Sequence, residues 1–341
     1  MKTERPEDIE FERQLPVAAI LDEYLACSGR RPITAWIGSR QDPPAPRGMF
    51  RASGGGCLRR DILRWDGQHG DPIAGISLRR FAVGNLIEFV LEEAFRWKGV
   101  LLASQERVWC DWALRPGMGH REDWMGRTVK QGPRLDLSGC LVAGTLDAVV
   151  TWSPHWAEIV GPVPADERAL GGRVFCVDWK SCHETKLSYL DDELVDAAYQ
   201  DQLATYAWLA MEQLHYPIEQ ARLIYVGKDT MRVKQVGIPL IQSIEAAKDG
   251  LRRKRDSAEA RARSGAIPPE IPLRDGKPEW KCDPRYCEFA LTDHCPTIKA
   301  YWTKLVTDQE TRKASGAAPA TVRRVNKAVE KAAKEHTNGV S

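Results

Sequence analysis

The chain has no long apolar run. Nothing in its 341 residues approaches the roughly 20 consecutive apolar residues that a bilayer-spanning helix needs. It also lacks a strong charge of either sign, since 49 Lys and Arg stand against 47 Asp and Glu, a net +2. That balance excludes a polycation, so any nucleic-acid site has to be a local basic surface. The first residues, MKTERPEDIEFERQLP, are charged and carry no apolar stretch. No secretory leader is expected, and the chain reads as cytoplasmic with no membrane partner. In a reducing compartment nine cysteines, an odd number, do not build a disulfide framework. Metal or cluster ligation is the better use for a tight cysteine group. Paired zinc-type Cys-X₂₋₄-Cys knuckles are scarce, because only Cys282 and Cys287 stand at such a spacing. No internal repeat is visible.

Hydrophobic content is 43%, enough for a real core. A helix is expected within residues 15–29, then a Pro-rich loop through QDPPAPRG. SGGGCLRRDILRW reads as a glycine turn entering a helix, and residues 77–99 place apolar side chains at three- and four-residue steps before a Gly, the pattern of a strong helix. Strands are expected around ERVWCDWAL, in LSGCLVAGTLDAVVTW and in RVFCVDWKS, with a Pro- and Gly-containing loop over 153–172. A long amphipathic helix follows over 191–215, then a hairpin from ARLIYVGKD and MRVKQVGIP, a basic helix over 240–263, a Pro-rich linker, the cysteine cluster and a basic tail with a helix at 319–335. This order gives an α/β or α+β core.

The run VFCVDWKSC carries the chemistry. Residues two apart on a strand share a face, so Val174, Cys176, Asp178 and Lys180 fall on one side and Phe175, Val177 and Trp179 on the other. The apolar side is expected to pack on a helix and the polar side to meet solvent or substrate. GCLVAGTLDAVV places Asp147 on a second strand. If the two strands are neighbours, two carboxylates approach each other and repel unless a cation lies between them. Mg²⁺ or Mn²⁺ suits such oxygen donors and could serve phosphodiester hydrolysis, with Lys180 stabilising charge on phosphorus. An Asp-X-Lys triplet also occurs as a solvated edge pair, and Asp147 reads equally as a strand-end residue. On the long helix Tyr199, Gln202 and Tyr206 share one face, suited to phosphate contact or to core packing. On the earlier helix Glu88 stands one turn after Gly84, as a metal ligand or as one of three glutamates on a solvated face with Glu92 and Glu93.

The motifs occur in the order Gly84-X₃-Glu88, Gly144-X₂-Asp147, Asp178-X-Lys180 and Gln202-X₃-Tyr206. With Cys57 ahead of them and Cys282, Cys287 and Cys295 behind, the set over residues 57–298 resembles the PD-(D/E)XK nuclease superfamily. It is closest in pattern to the RecB-like branch, which includes the AddB nuclease domain and CRISPR-adaptation exonucleases with an iron–sulfur cluster. Cys57, with Arg59 and Leu63, lies close to that branch's Ser…Cys-X-Arg-X-X-Leu pattern. The chain departs from the pattern at Glu88, where the family often has His, and in Cys282-X₄-Cys287-X₇-Cys295, whose first gap is wider than usual.

The resemblance implies a restriction-endonuclease-like fold, a central mixed sheet flanked by helices, with a four-cysteine cluster joining N- and C-terminal segments. It implies an N-terminal extension over 1–56, a core over 57–298 and a basic tail over 299–341. Asp147, Asp178, Lys180, Gln202 and Tyr206 become the catalytic set, and Glu88, Asp147 and Asp178 the Mg²⁺ or Mn²⁺ ligands. Cys57, Cys282, Cys287 and Cys295 become ligands of a [4Fe–4S] cluster, with Zn²⁺ the alternative. The activity implied is a DNA exonuclease of recombination, repair or phage DNA processing, acting on single strands or duplex ends, with a recombination or helicase protein as a possible partner. A cleavage-defective DNA-binding scaffold and a zinc-stapled interaction protein are the alternatives. Arg252 to Arg255, Arg261, Arg263, Arg323, Arg324 and Lys327 offer phosphate contacts, and Trp65, Trp109 and Trp280 offer stacking surfaces. Cys27, Cys110, Cys140, Cys176 and Cys182 read as small core residues.

Overall fold

A computed structural model describes residues 15–28, 48–52, 57–68, 70, 75–117, 139–190, 196–284, 287–308 and 325. The helix expected at 319–335, with Arg323, Arg324 and Lys327, lies outside the described residues apart from position 325. The chain divides into two compact units. One comprises Met1–Gly55 and Val83–Arg253, the other Gly56–Ala82 and Lys254–Ser341.

The first unit is built on a six-stranded mixed sheet. Its strands are β1 (Phe50–Arg51), β2 (Leu101–Asp111), β3 (Cys140–Trp152), β4 (Arg173–Cys182), β5 (Ile218–Gly227) and β6 (Val233–Ile238). β3 is the hinge of the topology. Its antiparallel pairing with β2 runs from Cys140 to Val150 and occupies one edge. The other edge is shared, with β1 parallel at Val142 and Ala143 and β4 antiparallel from Ala148 to Trp152. β5 then runs parallel to β4 and antiparallel to β6. The parallel β4–β5 step requires a crossover, and α5 (Glu184–Tyr189) and α6 (Ala197–Gln213) provide it.

One face of the sheet is covered by α1 (Val17–Ser28) and α3 (Gly75–Lys98). Ile20 and Leu21 of α1, Leu91, Ala94 and Phe95 of α3, Ala148 and Val150 of β3, and Phe175, Val177 and Trp179 of β4 form one buried cluster. The apolar side read off the VFCVDWKSC alternation is thus the side that packs on a helix. Inside this layer Lys98, 2% exposed, pairs with Glu23 of α1 at 2.7 Å and donates to the Ile159 carbonyl at 2.6 Å. The other face is covered by α6, whose Leu203, Ala204, Tyr206 and Ala207 are buried. α6 starts at Asp196, whose side chain accepts the Ala198 N–H, and ends before His215, which takes a left-handed φ of 58°. The segment 153–172 is not one loop. It holds a 3₁₀ turn, Pro154–Glu158, and the short helix α4, Ala165–Ala169.

The second unit contains α2 (Leu58–Trp65) and α8 (Pro296–Thr307); its boundaries with the first fall within α3 and α7 (Leu240–Ser264). Leu63, Phe289, Leu291, Ile298, Trp302 and Leu305 pack around Cys282, Cys287 and Cys295 as a separate core. Arg59 donates to the carbonyls of His294 (2.6 Å) and Pro268 (2.5 Å), and Arg64 makes a two-pronged ion pair with Glu288. Two of the signature positions, Arg59 and Leu63, therefore tie α2 to the cysteine-bearing segment.

Candidate active site

The last ladder pair between β3 and β4 is Ala148 with Val177. Beyond it Asp178, Trp179 and Lys180 continue alongside β5 alone, paired with Leu223, Ile224 and Tyr225. A backbone N–H left without a ladder partner needs another acceptor. Here the Trp179 N–H donates to Asp147 Oδ2 at 2.8 Å. The departure of β4 from β3 thereby places the carboxylates of Asp147 and Asp178 beside each other.

Asp178 is fully buried. Its Oδ1 accepts from Gln202 Nε2 at 3.0 Å, and its Oδ2 faces the ammonium of Lys180. The polar side of β4 is therefore not turned to solvent, as its alternation suggested, because α6 lies over it. Burial works against the Lys180 charge, but Asp178 and then Asp147 outweigh it and raise the lysine above its ordinary range. Burial, and after it the charge of Asp178, push Asp147 well above the usual carboxylate range, with Glu88 adding in the same direction. Lys180 also lies 5.1 Å from the centre of the Tyr199 ring. Tyr199 and Gln202 thus each meet one member of the Asp178–Lys180 pair.

Tyr206 lies against the sheet. It is 3% exposed and fits against Gly144 of β3. A Cβ on Gly144 would lie 2.7 Å from Tyr206 Cε1, 2.9 Å from its hydroxyl and 2.8 Å from Ala52 Cβ. The glycine of the second motif is what lets α6 approach β3. We expect Gly144→Ala to destabilise the protein by about 1–3 kcal/mol through overpacking, seen as a lower urea midpoint at unchanged slope.

Glu88 is on α3 and accepts from Gln105 Nε2 at 2.5 Å. Glu92, expected on a solvated face, is 4% exposed and accepts from Ser104 Oγ at 2.8 Å and Arg96 Nη2 at 2.6 Å. Gly84 backs onto β4, since a Cβ there would meet Ser181 Oγ at 2.9 Å. Gln105 was not singled out in the sequence. It sits within β2 with φ 56°, a left-handed value that costs a non-glycine residue about 1–2 kcal/mol. Gln213, also not singled out, is buried and accepts the Trp109 N–H at 3.0 Å, which joins the end of α6 to β2.

The expected convergence of Glu88, Asp147 and Asp178 is partial. Among the described residues no three His, Cys, Asp or Glu side chains are gathered as a metal-holding group. Lys180, Gln202, the Trp179 N–H and Gln105 hold these carboxylates. The donor set still has the chemistry a hard divalent ion takes, two carboxylates whose mutual repulsion is already felt at Asp147.

In the second unit Cys282 feels the charge of Cys57, Cys287 and Cys295, Cys295 that of Cys287 and Cys57, and Cys287 that of Cys57. Burial, more than this mutual repulsion, raises all four thiols, with Cys282 and Cys295 pushed up to about 12. Two of them stand at helix starts, where the positive end of the dipole favours a thiolate. Cys57 is the N-cap of α2, its Sγ accepting the Arg60 N–H at 3.4 Å, and Cys295 is the N-cap of α8. Cys110, Cys140, Cys176 and Cys182 are buried, as expected for core residues.

The other expected contact surfaces are partly used up. Lys254 pairs with Asp61 at 3.0 Å and Arg261 with Asp66 at 2.8 Å, so both serve the second unit's packing, while Arg252, Arg253 and Arg263 are exposed. Trp109 packs on Met49, Cys140 and Ala143 and against Gly117 rather than presenting an open face. Trp65 is half-buried, and the side chain of Trp280 lies outside the described residues.

No curated protein matches the chain. A solved structure, that of SSO0001, is similar at 13% identity and a TM-score of 0.38, over 85% of this chain and 96% of that one. Nothing further is drawn from that likeness. Residues 165–295 match the family model of the PD-(D/E)XK nuclease superfamily. That span contains Asp178, Lys180, Gln202, Tyr206 and the three downstream cysteines, and excludes Cys57, Glu88 and Asp147. Together with the mixed α/β sheet and the buried Asp178–Lys180 pair, the match supports a PD-(D/E)XK nuclease superfamily domain in this chain.

Proposed function

We propose that this protein is a metal-dependent deoxyribonuclease of the RecB-like branch. It acts as an exonuclease on single strands or duplex ends, in recombination, repair or phage DNA processing. The observation that carries this reading is the Asp178–Lys180 pair facing Asp147 where β4 leaves β3. Asp147 and Asp178, with Glu88 nearby, would hold Mg²⁺ or Mn²⁺, which supplies Lewis acidity and an acidified water for attack on phosphorus. Lys180 stays charged beside two carboxylates, so it serves as a fixed positive charge for the developing phosphorane rather than as a proton acceptor. Gln202 fixes the Asp178 carboxylate, and Tyr199 covers the lysine.

In the second unit the influence of Cys57, Cys287 and Cys295 on Cys282 supports a thiophilic centre held by these four residues. We favour a [4Fe–4S] cluster over Zn²⁺ on the order of one upstream and three downstream cysteines. Its role is to close the long loop between residue 57 and residue 282, which favours the folded unit.

End-labelled single- and double-stranded DNA, incubated with protein and Mg²⁺ or Mn²⁺, tests the activity. Mononucleotides released progressively from an end, and their loss in EDTA, are expected. Binding of DNA without cleavage in either metal would overturn the enzyme reading in favour of a scaffold.

A further inference from the structure

In a regular strand Ser104 and Gln105 point to opposite faces. In β2 both reach α3 instead, Ser104 Oγ to Glu92 and Gln105 Nε2 to Glu88, two glutamates one helical turn apart. The left-handed φ of 56° at Gln105 is what turns the second side chain to the same helix as the first. The ladder pairs Ser104 with Ala148 and Glu106 with Leu146, so Gln105 stands opposite Asp147. A backbone outlier in mid-strand, next to one carboxylate and bonded to a second, is the kind of strain that persists where a site needs it.

We infer that Gln105 is a positioning residue for Glu88, holding one carboxylate oxygen by its amide so that the group is oriented toward the divalent ion shared with Asp147. This rests on the nuclease reading. The amide donates and carries no charge, so it fixes the carboxylate without competing with the cation as an ammonium would. Residues in this supporting position typically change metal affinity by 10–100-fold when removed.

The test is Mn²⁺ binding, read from the free-ion signal in electron paramagnetic resonance. Gln105→Gly accepts the positive φ without strain, so its melting temperature without metal should be unchanged or raised. Its apparent Kd for Mn²⁺ should rise by about 10-fold or more. Gln105→Asn also tolerates the left-handed backbone but is one methylene too short, and should show the same loss. The double variant Glu88→Gln/Gln105→Gly should bind no more weakly than Glu88→Gln, because Gln105 acts through Glu88. Unchanged Mn²⁺ affinity in both Gln105 variants, or additive losses in the double variant, would overturn the inference. Asp178→Asn is the control that separates the two levels. If it binds Mn²⁺ as wild type does, the nuclease reading itself fails; if it loses the ion while the Gln105 variants do not, only the role of Gln105 fails.

Discussion

Asp178→Asn is expected to cut single-turnover DNA cleavage by about 10³-fold or more while the fold survives. The choice of asparagine follows from the surroundings of this side chain. Asp178 is fully buried between Gln202 Nε2 and the Lys180 ammonium. Asparagine keeps the shape and an oxygen for Gln202, and replaces the oxygen that faces Lys180 by an uncharged amide nitrogen. Both variants take the nearest counter-charge from Lys180, itself 18% exposed; alanine does more, since it also removes the acceptor of Gln202 Nε2 and leaves a cavity. Breaking a buried pair costs about 3–5 kcal/mol, and the added cavity in Asp178→Ala makes unfolding harder to separate from lost chemistry than in Asp178→Asn. Cleavage assays paired with melting curves check both parts. Near wild-type rates in Asp178→Asn would remove this residue from the reaction.

On the proposed reading, Cys57→Ser should strip the cluster without weakening the helix that bears residue 57. Serine is at least as good an N-cap as cysteine, and the N–H of Arg60 keeps its acceptor. What is lost is one of the four proposed ligands. Binding of a structural metal centre is also folding free energy, so the second unit should lose protease resistance while the sheet-bearing unit keeps its secondary structure. Iron analysis and visible absorbance after anaerobic purification measure this directly. Brown, iron-containing wild type and colourless Cys57→Ser are expected. Zinc in the wild type would replace the cluster with the alternative metal, and an unchanged metal content in Cys57→Ser would remove Cys57 from the ligand set.

The strands and long helices were legible because their apolar spacing matches the period of one element and not the other. On β4 the alternation separated Phe175, Val177 and Trp179 from Asp178 and Lys180 correctly. It could not say what covers the polar side, since a two-residue period assigns faces and not their neighbours; α6 covers it. Glu92 looked like its solvated neighbours on a helix, and only its pairing with Ser104 across the layer makes it buried. The short helix Ala165–Ala169 was missed although Pro164 precedes it and Asp166 and Glu167 occupy its first turn, signals of a helix start. The strand Phe50–Arg51 is two residues long, too short for any period to show. Gln105 carried no signal at all, because its left-handed backbone is imposed by Glu88 and the β2–β3 pairing rather than by its own preference.

Crystals grown with Mn²⁺, with data collected at the manganese edge, test the central claim most directly. The account predicts an anomalous peak bonded to oxygens of both Asp147 and Asp178. A protein that takes up Mn²⁺ elsewhere, with Lys180 and the Trp179 N–H still holding those two carboxylates as they do without metal, would contradict it.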